Sequence, residues 1–219
     1  MVLVKFALGG NLRFLSHLEQ MAAFQRACVR AGVDMVYTQG FNPHPIISIP
    51  LPRSVGVESD DDYFCLRIKD SKASFDSRRF QAALSMQMPA GLKLNSACVS
   101  QSKKLPFPQA AVYFLPTKSG LLDDNIRQEK LKSAISGLLA AASLIVPRKA
   151  EPKRRRVKNV DVRGFIDDII LQESGVSVRC KIYSGGTIRV DEILTLLGLS
   201  VSDLSGPVRR TSVQWKLDS

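Results

Sequence analysis

Several residue types that build common sites are scarce in this chain. Its 219 residues include only two histidines, four cysteines and one tryptophan. The cysteines lie in the segments ACV, FCL, ACV and RCK, so the chain has no CxxC pair for zinc or an iron–sulfur cluster. Two histidines without a carboxylate partner leave too few ligands for a histidine-based metal site. The sequence therefore predicts no metal and no cofactor.

Long apolar runs and acidic residues are also in short supply. The longest apolar stretch, GLLAAASLIV, is too short to cross a bilayer. The start, MVLVKFALGG, lacks the basic region of a signal peptide. We therefore expect a cytoplasmic protein with buried free thiols and no membrane partner. Lysine and arginine number 31 against 20 aspartates and glutamates, and this net charge of +11 favours polyanions, nucleic acid first.

More than half of the positive excess lies in one segment, residues 148–163, which has eight basic residues and two acidic ones. Its prolines and polar residues predict an exposed loop or mobile hairpin. Cations there would bind phosphates and release counterions without reading sequence. The alternative is a solvated run of charge. The predicted phosphate contacts are Lys153, Arg154, Arg155, Arg156, Lys158 and Arg163. Asp161 and Arg163 alternate along a predicted strand, so they are expected to share a face and pair.

The periodicity of apolar residues predicts the element order β-α-β-β-α-β twice. Residues 1–102 hold the first round and residues 110–219 the second, with the segment SQSKKLPFPQ between them as a linker. This order is that of the ferredoxin-like fold. The sequence therefore predicts an α+β protein of two tandem ferredoxin-like units, each an antiparallel sheet with helices on one face. The aspartates 60–62 are interpreted as a solvated acidic turn.

The first candidate site is the segment GGNLRFLSHLEQ. Ser16 and Glu19 match a capping box at a helix start. That pattern leaves Arg13 and His17 unexplained, and a helix N-terminus beside an arginine favours an anion such as phosphate. His17 is either a half-buried, hydrogen-bonded imidazole or a group that contacts phosphate or transfers a proton. The segment is neither a Walker loop nor a dinucleotide-binding loop.

The second candidate site is the QGFNPHP loop. Its two prolines fix φ and remove backbone donors, and its glycine permits an unusual turn, so the loop is predicted to be stiff. A stiff loop can hold side chains for a ligand, although it can also simply join two strands. The candidate contacts are Gln39, Gly40, Phe41, Asn42 and His44. Phe41 is expected either to stack on a base or to pack in the core.

Three segments resemble a known family. They are RFLSHLE at Arg13–Glu19, YTQGFNPHP at Tyr37–Pro45 and GVESDDDY at Gly56–Tyr63, followed later by KRRRVKNVDVRGFI. In this pattern and order the chain is similar to the radical-SAM-linked family of uncharacterised bacterial proteins. The resemblance implies a bacterial cytoplasmic protein that works with or beside a radical SAM enzyme. It implies no activity, and the CxxxCxxC cluster motif of the radical SAM part is absent.

Three functions follow as expectations. The first is an RNA-binding adaptor, with tRNA or rRNA as partner, that serves a radical SAM or RNA-processing protein. The second is a protein-interaction subunit of a radical SAM enzyme without an RNA role. The third is a metal-independent endoribonuclease in which His17 and His44 act as acid and base. Of these, the adaptor without activity of its own is the leading hypothesis.

Overall fold

A computed structural model describes residues 1–69, 75–102, 104–122, 124–149 and 157–217. The chain divides into two compact units, residues 1–108 with 212–219 and residues 109–211. The last eight residues therefore group with the first unit, whereas the sequence-based boundary placed them in the second. Four predicted phosphate contacts, Lys153, Arg154, Arg155 and Arg156, lie outside the described residues.

The first unit is a sheet of antiparallel strands with two helices. Its elements are β1 (Val2–Leu8), α1 (His17–Arg30), β2 (Ile47–Ser48), β3 (Glu58–Leu66), α2 (Ser77–Ser85) and β4 (Leu92–Val99). Strand β1 lies between β4 and β3, and β2 pairs with the end of β3. Val2 faces Leu66 on one side and Val99 on the other, which fixes the register of the three strands.

Helix α1 packs its apolar face on this sheet. The Phe24 ring stacks on Phe64 at a centroid distance of 4.1 Å and meets the edge of Phe6 at 4.8 Å. All three rings are fully buried. Burying such a ring stabilises the fold by about 1.5–3 kcal/mol, so this aromatic cluster fixes α1 on β1 and β3. The helix ends before Gly32, whose φ of +67° supplies the left-handed turn after the last helical residue.

The second unit has the same mixed character. Its elements are β5 (Phe107–Pro116), α3 (Ser119–Leu122), α4 (Asn125–Ala140), β6 (Ile145–Lys149), β7 (Val157–Asp161), β8 (Ile166–Gln172), β9 (Gly175–Lys181) and α5 (Val190–Leu196). Strand β9 lies between β5 and β8 and is antiparallel to both. Strands β6 and β7 form a separate two-stranded hairpin. The final strand β10 (Arg209–Lys216) runs from the second unit into the first.

The predicted α+β class with antiparallel sheets is confirmed, while several element boundaries differ from the prediction. The strand predicted to hold both Asp161 and Arg163 ends at Asp161, and a 3₁₀ turn (Arg163–Phe165) separates it from β8. The turn forms where the Arg163 guanidinium donates to carbonyls at the end of α4. The segment VDMVY makes isolated bridges, from Met35 to Ile68 and from Tyr37 to Pro45.

The prediction of a solvated acidic turn at residues 60–62 is wrong, because these aspartates lie within β3. Asp61 is 3.0 Å from the Lys5 ammonium, and it accepts hydrogen bonds from the Val213 N–H and the Trp215 indole N–H. Asp62 is 1% exposed. Strand neighbours that the local sequence does not reveal supply the hydrogen bonds that water would otherwise give to Asp61.

Three of the four predicted buried thiols are confirmed. Burial raises the pKa of Cys28, Cys65 and Cys180 to about 12, so these groups are inert thiols near neutral pH. Cys98 is exposed, because it lies on the outer face of β4. Within the described ranges, no helix has the length and apolar character needed to cross a bilayer.

Candidate nucleic-acid interface

The QGFNPHP loop is the turn of a small closed hairpin. The Thr38 N–H donates to the His44 carbonyl at 2.8 Å, and the His44 N–H donates to the Thr38 hydroxyl at 3.0 Å. Outside these bonds, Tyr37 bridges to Pro45. Gly40 has a φ of +125°, a conformation that other residues rarely adopt. The local sequence therefore folds into a stiff loop, since both its closure and its turn come from residues within it.

The stem of this hairpin is bonded to the chain that follows β3. The Val36 N–H donates to the Arg67 carbonyl at 2.8 Å, and the Arg67 N–H donates to the Ile46 carbonyl at 3.0 Å. The Lys69 ammonium lies 2.8 Å from Asp34, at the base of the same stem. These contacts attach the hairpin to the first unit on both of its arms.

The loop points its side chains into solvent. Phe41 is fully exposed, and Gln39, Asn42 and His44 are exposed as well. The core-packing alternative for Phe41 is therefore wrong, since the ring lies outside the core. An aromatic ring on a rigid, solvated loop is the arrangement with which many proteins stack an unpaired base. The neighbouring amide and imidazole offer hydrogen-bonding groups beside that ring.

Two cations near this loop are missed by sequence reasoning. The side chain of Arg67 is exposed, and its backbone joins both arms of the stem. Lys69 is charged, because the hydrogen bond and the charge of Asp34 raise its pKa. Arg67 lies more than twenty residues after the loop in the sequence. Only the strand pairing brings it to the stem, so no local motif could identify it.

The first candidate site has a different arrangement. The Arg13 guanidinium donates to the Gly10 carbonyl at 2.8 Å and stacks over the Phe14 ring at 4.4 Å. Glu58 accepts from the Gly10 N–H at 2.8 Å and lies 4.0 Å from Arg13. A carboxylate of the protein therefore already occupies the turn at which a phosphate was predicted.

The capping box at the start of α1 is confirmed. The Ser16 hydroxyl accepts from the Glu19 N–H at 3.3 Å, and Glu19 accepts from the Ser16 N–H at 2.8 Å. The bonds from Ser16, first from its backbone and then from its side chain, lower the pKa of Glu19. Side chains at the N-terminus of α1 thus accept hydrogen bonds from backbone N–H groups that have no partner within the helix.

His17 is the first residue of α1 and is half-buried. Its Nδ1 atom is buried, and no hydrogen-bond partner for it occurs among the described residues. The expected hydrogen bond of the imidazole is therefore not found at this atom. No hydrogen bond or ion pair in the described part of the chain joins Arg13 or His17 to the hairpin at 37–45. Acid–base action of His17 with His44 stays a prediction.

Arg53 organises the surface around Arg13 and was missed by sequence reasoning. It is 7% exposed, and its guanidinium donates to five backbone carbonyls. The acceptors are the carbonyl oxygens of Leu12, Arg13, Leu15, Ser54 and Val57. These bonds fasten the 3₁₀ turn before α1 to the segment that leads into β3. A buried arginine in a PRS tripeptide has no recognisable motif, because its acceptors are backbone atoms.

The basic segment begins with a structural arginine. Arg148 donates to both oxygens of Glu192, at 2.6 and 2.8 Å, and to the Thr187 carbonyl at 2.8 Å. Burial raises the pKa of Glu192, but the bonds from Arg148 and from the Arg189 N–H outweigh it and leave that pKa below its ordinary value. Lys158 lies opposite Arg148 across the hairpin and is exposed. Of this facing pair, only Lys158 presents its charge to solvent.

Arg163, at the other end of the segment, closes helix α4. Its guanidinium donates to the carbonyls of Leu139, Ala141 and Ile166 at 2.7–3.0 Å. The predicted link to Asp161 is made by the Arg163 backbone N–H, at 3.0 Å. Hydrogen bonds from the backbone N–H groups of Leu144 and Arg163 lower the pKa of Asp161, and the bond from Leu144 has the larger effect. The phosphate contact of Arg163 stays a prediction, and three of the five guanidinium N–H groups already have acceptors.

The described residues contain no cluster of three histidines, cysteines or acids that could hold a metal ion. The model of the family described as "Uncharacterized protein conserved in bacteria (DUF2344)" matches residues 2–191. No curated protein matches the chain. A chain of the structure entitled "Crystal Structure of a Cbf5-Nop10-Gar1 Complex" is similar, with 11% identity and a TM-score of 0.49. The match covers 97% of this chain and 48% of that one, so this chain spans about half of its length. A likeness at this level carries no argument about function.

Proposed function

The chain belongs to this DUF2344 family of bacterial proteins, and we propose that it is an RNA-binding adaptor that presents tRNA or rRNA to a processing or modification partner. The observation that carries the proposal is the closed hairpin at 37–45, which leaves the ring of Phe41 fully exposed and whose stem is bonded to the backbone of Arg67. A loop that only joins two strands does not require an exposed ring at its tip.

Each group at the hairpin suits a different part of RNA. The Phe41 ring would stack on an unpaired base, which contributes about 1–3 kcal/mol to binding. Asn42 and His44 would donate to and accept from the base edge. Arg67 would contact a neighbouring phosphate. The hairpin thus combines stacking, edge contacts and charge within one unit of the protein.

The basic segment would add backbone affinity without selectivity. Lys158 is exposed in β7, and Lys153 and Arg154–Arg156 precede it in the chain. With a net charge of +11, the protein attracts polyanions over a range set by the Debye length, about 10 Å at 0.1 M salt. We also propose that both units are variants of the ferredoxin-like fold, with the β6–β7 hairpin inserted in the second. The element order of each unit supports this assignment.

The decisive experiment measures RNA affinity by fluorescence anisotropy, with bulk tRNA and single-stranded rRNA fragments over a salt series. Phe41→Ala should weaken binding about tenfold or more, and Phe41→Trp should retain it. Phe107→Ala is the matched control, because Phe107 is also an exposed phenylalanine but lies in β5. Affinity should fall steeply with salt. A flat salt response, or equal affinities for Phe41→Ala and the control, would contradict the proposal.

A second candidate function is protein docking, favoured by a separate apolar surface in the first unit. Phe14, Leu18 and Val55 are 57%, 78% and 61% exposed. Arg53 and the Gly56 N–H, which donates to the Arg13 carbonyl at 2.8 Å, bind their segments together. The family resemblance suggests a radical SAM protein as the occupant. Leu18→Glu should abolish co-purification with such a protein and leave RNA affinity unchanged; retention of the complex would contradict the docking role.

A further inference from the structure

The second unit contains two adjoining clefts beside the N-terminal half of α4. One has a volume of about 520 Å³ and the other about 600 Å³, and both fall in the size range of small-molecule sites. Arg127 and Asp203 line both clefts, so the two adjoin at these side chains. Neither cleft includes a residue that the sequence analysis singled out.

The larger cleft is lined by cations and hydroxyl groups. Lys118 and Arg127 are the cations, and Ser119, Ser202 and Ser205 are the hydroxyl residues. The backbone pins its opposite walls together, since the Lys118 N–H donates to the Asp203 carbonyl at 2.9 Å and the Ser205 N–H donates to the Pro116 carbonyl at 3.0 Å. A rigid cleft with two cations and several hydroxyls suits a phosphoryl group.

The acid in this cleft, Asp203, offsets one of its two cations. One oxygen of Asp203 accepts from the Ser200 N–H at 2.8 Å and from the Ser200 hydroxyl at 2.5 Å. The bonds from Ser200 lower the pKa of Asp203, and the charges of Arg127 and Lys118 add to this effect. Arg127 also forms an exposed ion pair with Asp124, at 3.6 Å. Among the described residues that line the larger cleft, two cations therefore face one carboxylate, which Ser200 already bonds.

The smaller cleft has an apolar floor. Leu131 of α4 and Leu197 and Leu199 after α5 line it, and each is less than a tenth exposed. Lys130 lies on its wall and adds a donor. A flat ring that carries hydrogen-bond acceptors fits such a cleft better than an aliphatic chain, because the ring would cover leucine side chains while its acceptors meet the ammonium.

We propose that the two clefts form one binding site for a nucleoside monophosphate. The ring occupies the leucine-lined cleft, and the phosphoryl group lies between Lys118 and Arg127. The site lies wholly within the second unit and does not rest on the hairpin at 37–45. Its ligand can be free in solution or can be the phosphorylated end of an RNA strand, because both present the same ring and phosphoryl group.

Isothermal titration of the full chain tests the proposal with the four ribonucleoside monophosphates, their parent nucleosides, inorganic phosphate and phenyl phosphate. A monophosphate should bind saturably. Its parent nucleoside should bind about tenfold more weakly, because the nucleoside has no phosphoryl group to form charge-assisted hydrogen bonds. Arg127→Met and Lys118→Met should each lower the affinity for the monophosphate by about tenfold. Lys132→Met is the matched control, since Lys132 lies on α4 but pairs with Glu129 at 2.8 Å. Far-ultraviolet circular dichroism confirms that each variant is folded.

Five results separate the outcomes. No saturation below about 10 mM monophosphate overturns the proposal. Equal affinity in Arg127→Met and Lys132→Met overturns it too, and so does phenyl phosphate or inorganic phosphate that binds as tightly as the nucleotide. Phe41→Ala should leave nucleotide affinity unchanged, which distinguishes this site from the RNA-binding hairpin. An RNA with a 5′-phosphate that competes with the nucleotide, while a 5′-hydroxyl RNA does not, would identify a strand end as the ligand.

Discussion

Two hairpins in this protein use their polar residues in opposite ways. The hairpin at 37–45 closes itself with one threonine and leaves Phe41, Asn42 and His44 in solvent. The β6–β7 hairpin holds much of the most basic segment, yet Arg148 in β6 and Arg163 just after β7 donate to groups of the protein itself. The loop with little charge therefore presents its side chains freely, while the two arginines at the ends of the charged segment stabilise the fold.

The contrast shows why charge density alone misidentifies contacts. An arginine has five N–H groups in a fixed fork, so it suits buried carbonyls and carboxylates as well as phosphates. Arg148 lies next to α5, whose Glu192 accepts its hydrogen bonds. Arg163 lies next to the C-terminal end of α4, where backbone carbonyls have no partner within the helix. The fold holds both sets of acceptors in place. The exposed residue Lys158 keeps its charge available. Residues of the segment must therefore be assigned one at a time.

The largest expected effect comes from Arg148→Met. The substitution leaves Glu192 buried with one backbone donor, the Arg189 N–H. We expect the free energy of unfolding to fall by about 2–3 kcal/mol. The loss is modest for a buried ion pair because the Arg148 side chain is 16% exposed. Urea unfolding followed by circular dichroism measures the loss. Lys158→Met, directly opposite on the hairpin, should change stability by less than about 0.5 kcal/mol. Equal losses in both variants would remove the distinction between the structural and the exposed cation.

The ion pair of Arg148 with Glu192 predicts that stability depends on pH. The folded pKa of Glu192 lies below its ordinary value of 4.5, so its contribution to stability is fully present above that pH. The contribution is lost as the pH falls through the lowered pKa. The stability gap between the wild-type chain and Arg148→Met should therefore be constant from pH 5 to 7 and narrow below about pH 4. A gap that widens in acid would contradict this sign.

The next effect is that of Arg163→Met, at about 1–2 kcal/mol, because two carbonyls at the end of α4 and the Ile166 carbonyl of β8 lose their donor. Arg179→Met is the control, since the Arg179 ion pair with Asp167 lies on the surface. RNA affinity should be the same in both variants. If instead Arg163→Met reduces the salt slope of RNA binding by about one, the arginine contacts a phosphate as the sequence predicted.

Local patterns in the sequence predicted much of the fold. The capping box of α1 and the antiparallel α+β class both depend on residues close in the chain, and both are confirmed. Asp61 shows where such patterns fail. Its partners Lys5 and Trp215 come from distant strands, so three successive aspartates resembled a turn and proved to be part of a strand.

At the candidate site, too, local features could be predicted and contacts between distant parts of the chain could not. The stiffness of the 37–45 loop could be inferred from its prolines and glycine, and the exposure of Phe41 could not, because a phenylalanine between polar residues fits a core or a surface equally. Arg67 and Arg53 were missed because backbone atoms far apart in sequence define their surroundings. The two clefts beside α4 were missed for the same reason, since their cations come from separate elements.

Gly40→Ala should have a smaller effect, confined to the hairpin. At a φ of +125° an alanine costs about 1 kcal/mol, so the hairpin opens more often while the rest of the unit is unchanged. Hydrogen exchange of the Thr38 and His44 amides should accelerate, and RNA affinity should fall about threefold. Gly185→Ala is the control, because that exposed glycine has no positive φ. Unchanged exchange in Gly40→Ala would show that the turn tolerates a side chain.

Thr38→Val should have the smallest effect and separates two sources of stiffness. The substitution keeps the shape and the Thr38 N–H bond to His44, but it removes the hydroxyl that accepts from the His44 N–H. The loss of one exposed hydrogen bond costs about 0.5 kcal/mol, so the His44 amide should exchange about twofold faster and RNA affinity should fall by a similar factor. Thr211→Val, which removes an exposed hydroxyl from β10, should change neither. If the His44 amide exchanges at its wild-type rate in Thr38→Val, the two prolines alone hold the loop closed, and the side-chain bond contributes nothing to how Phe41 is presented.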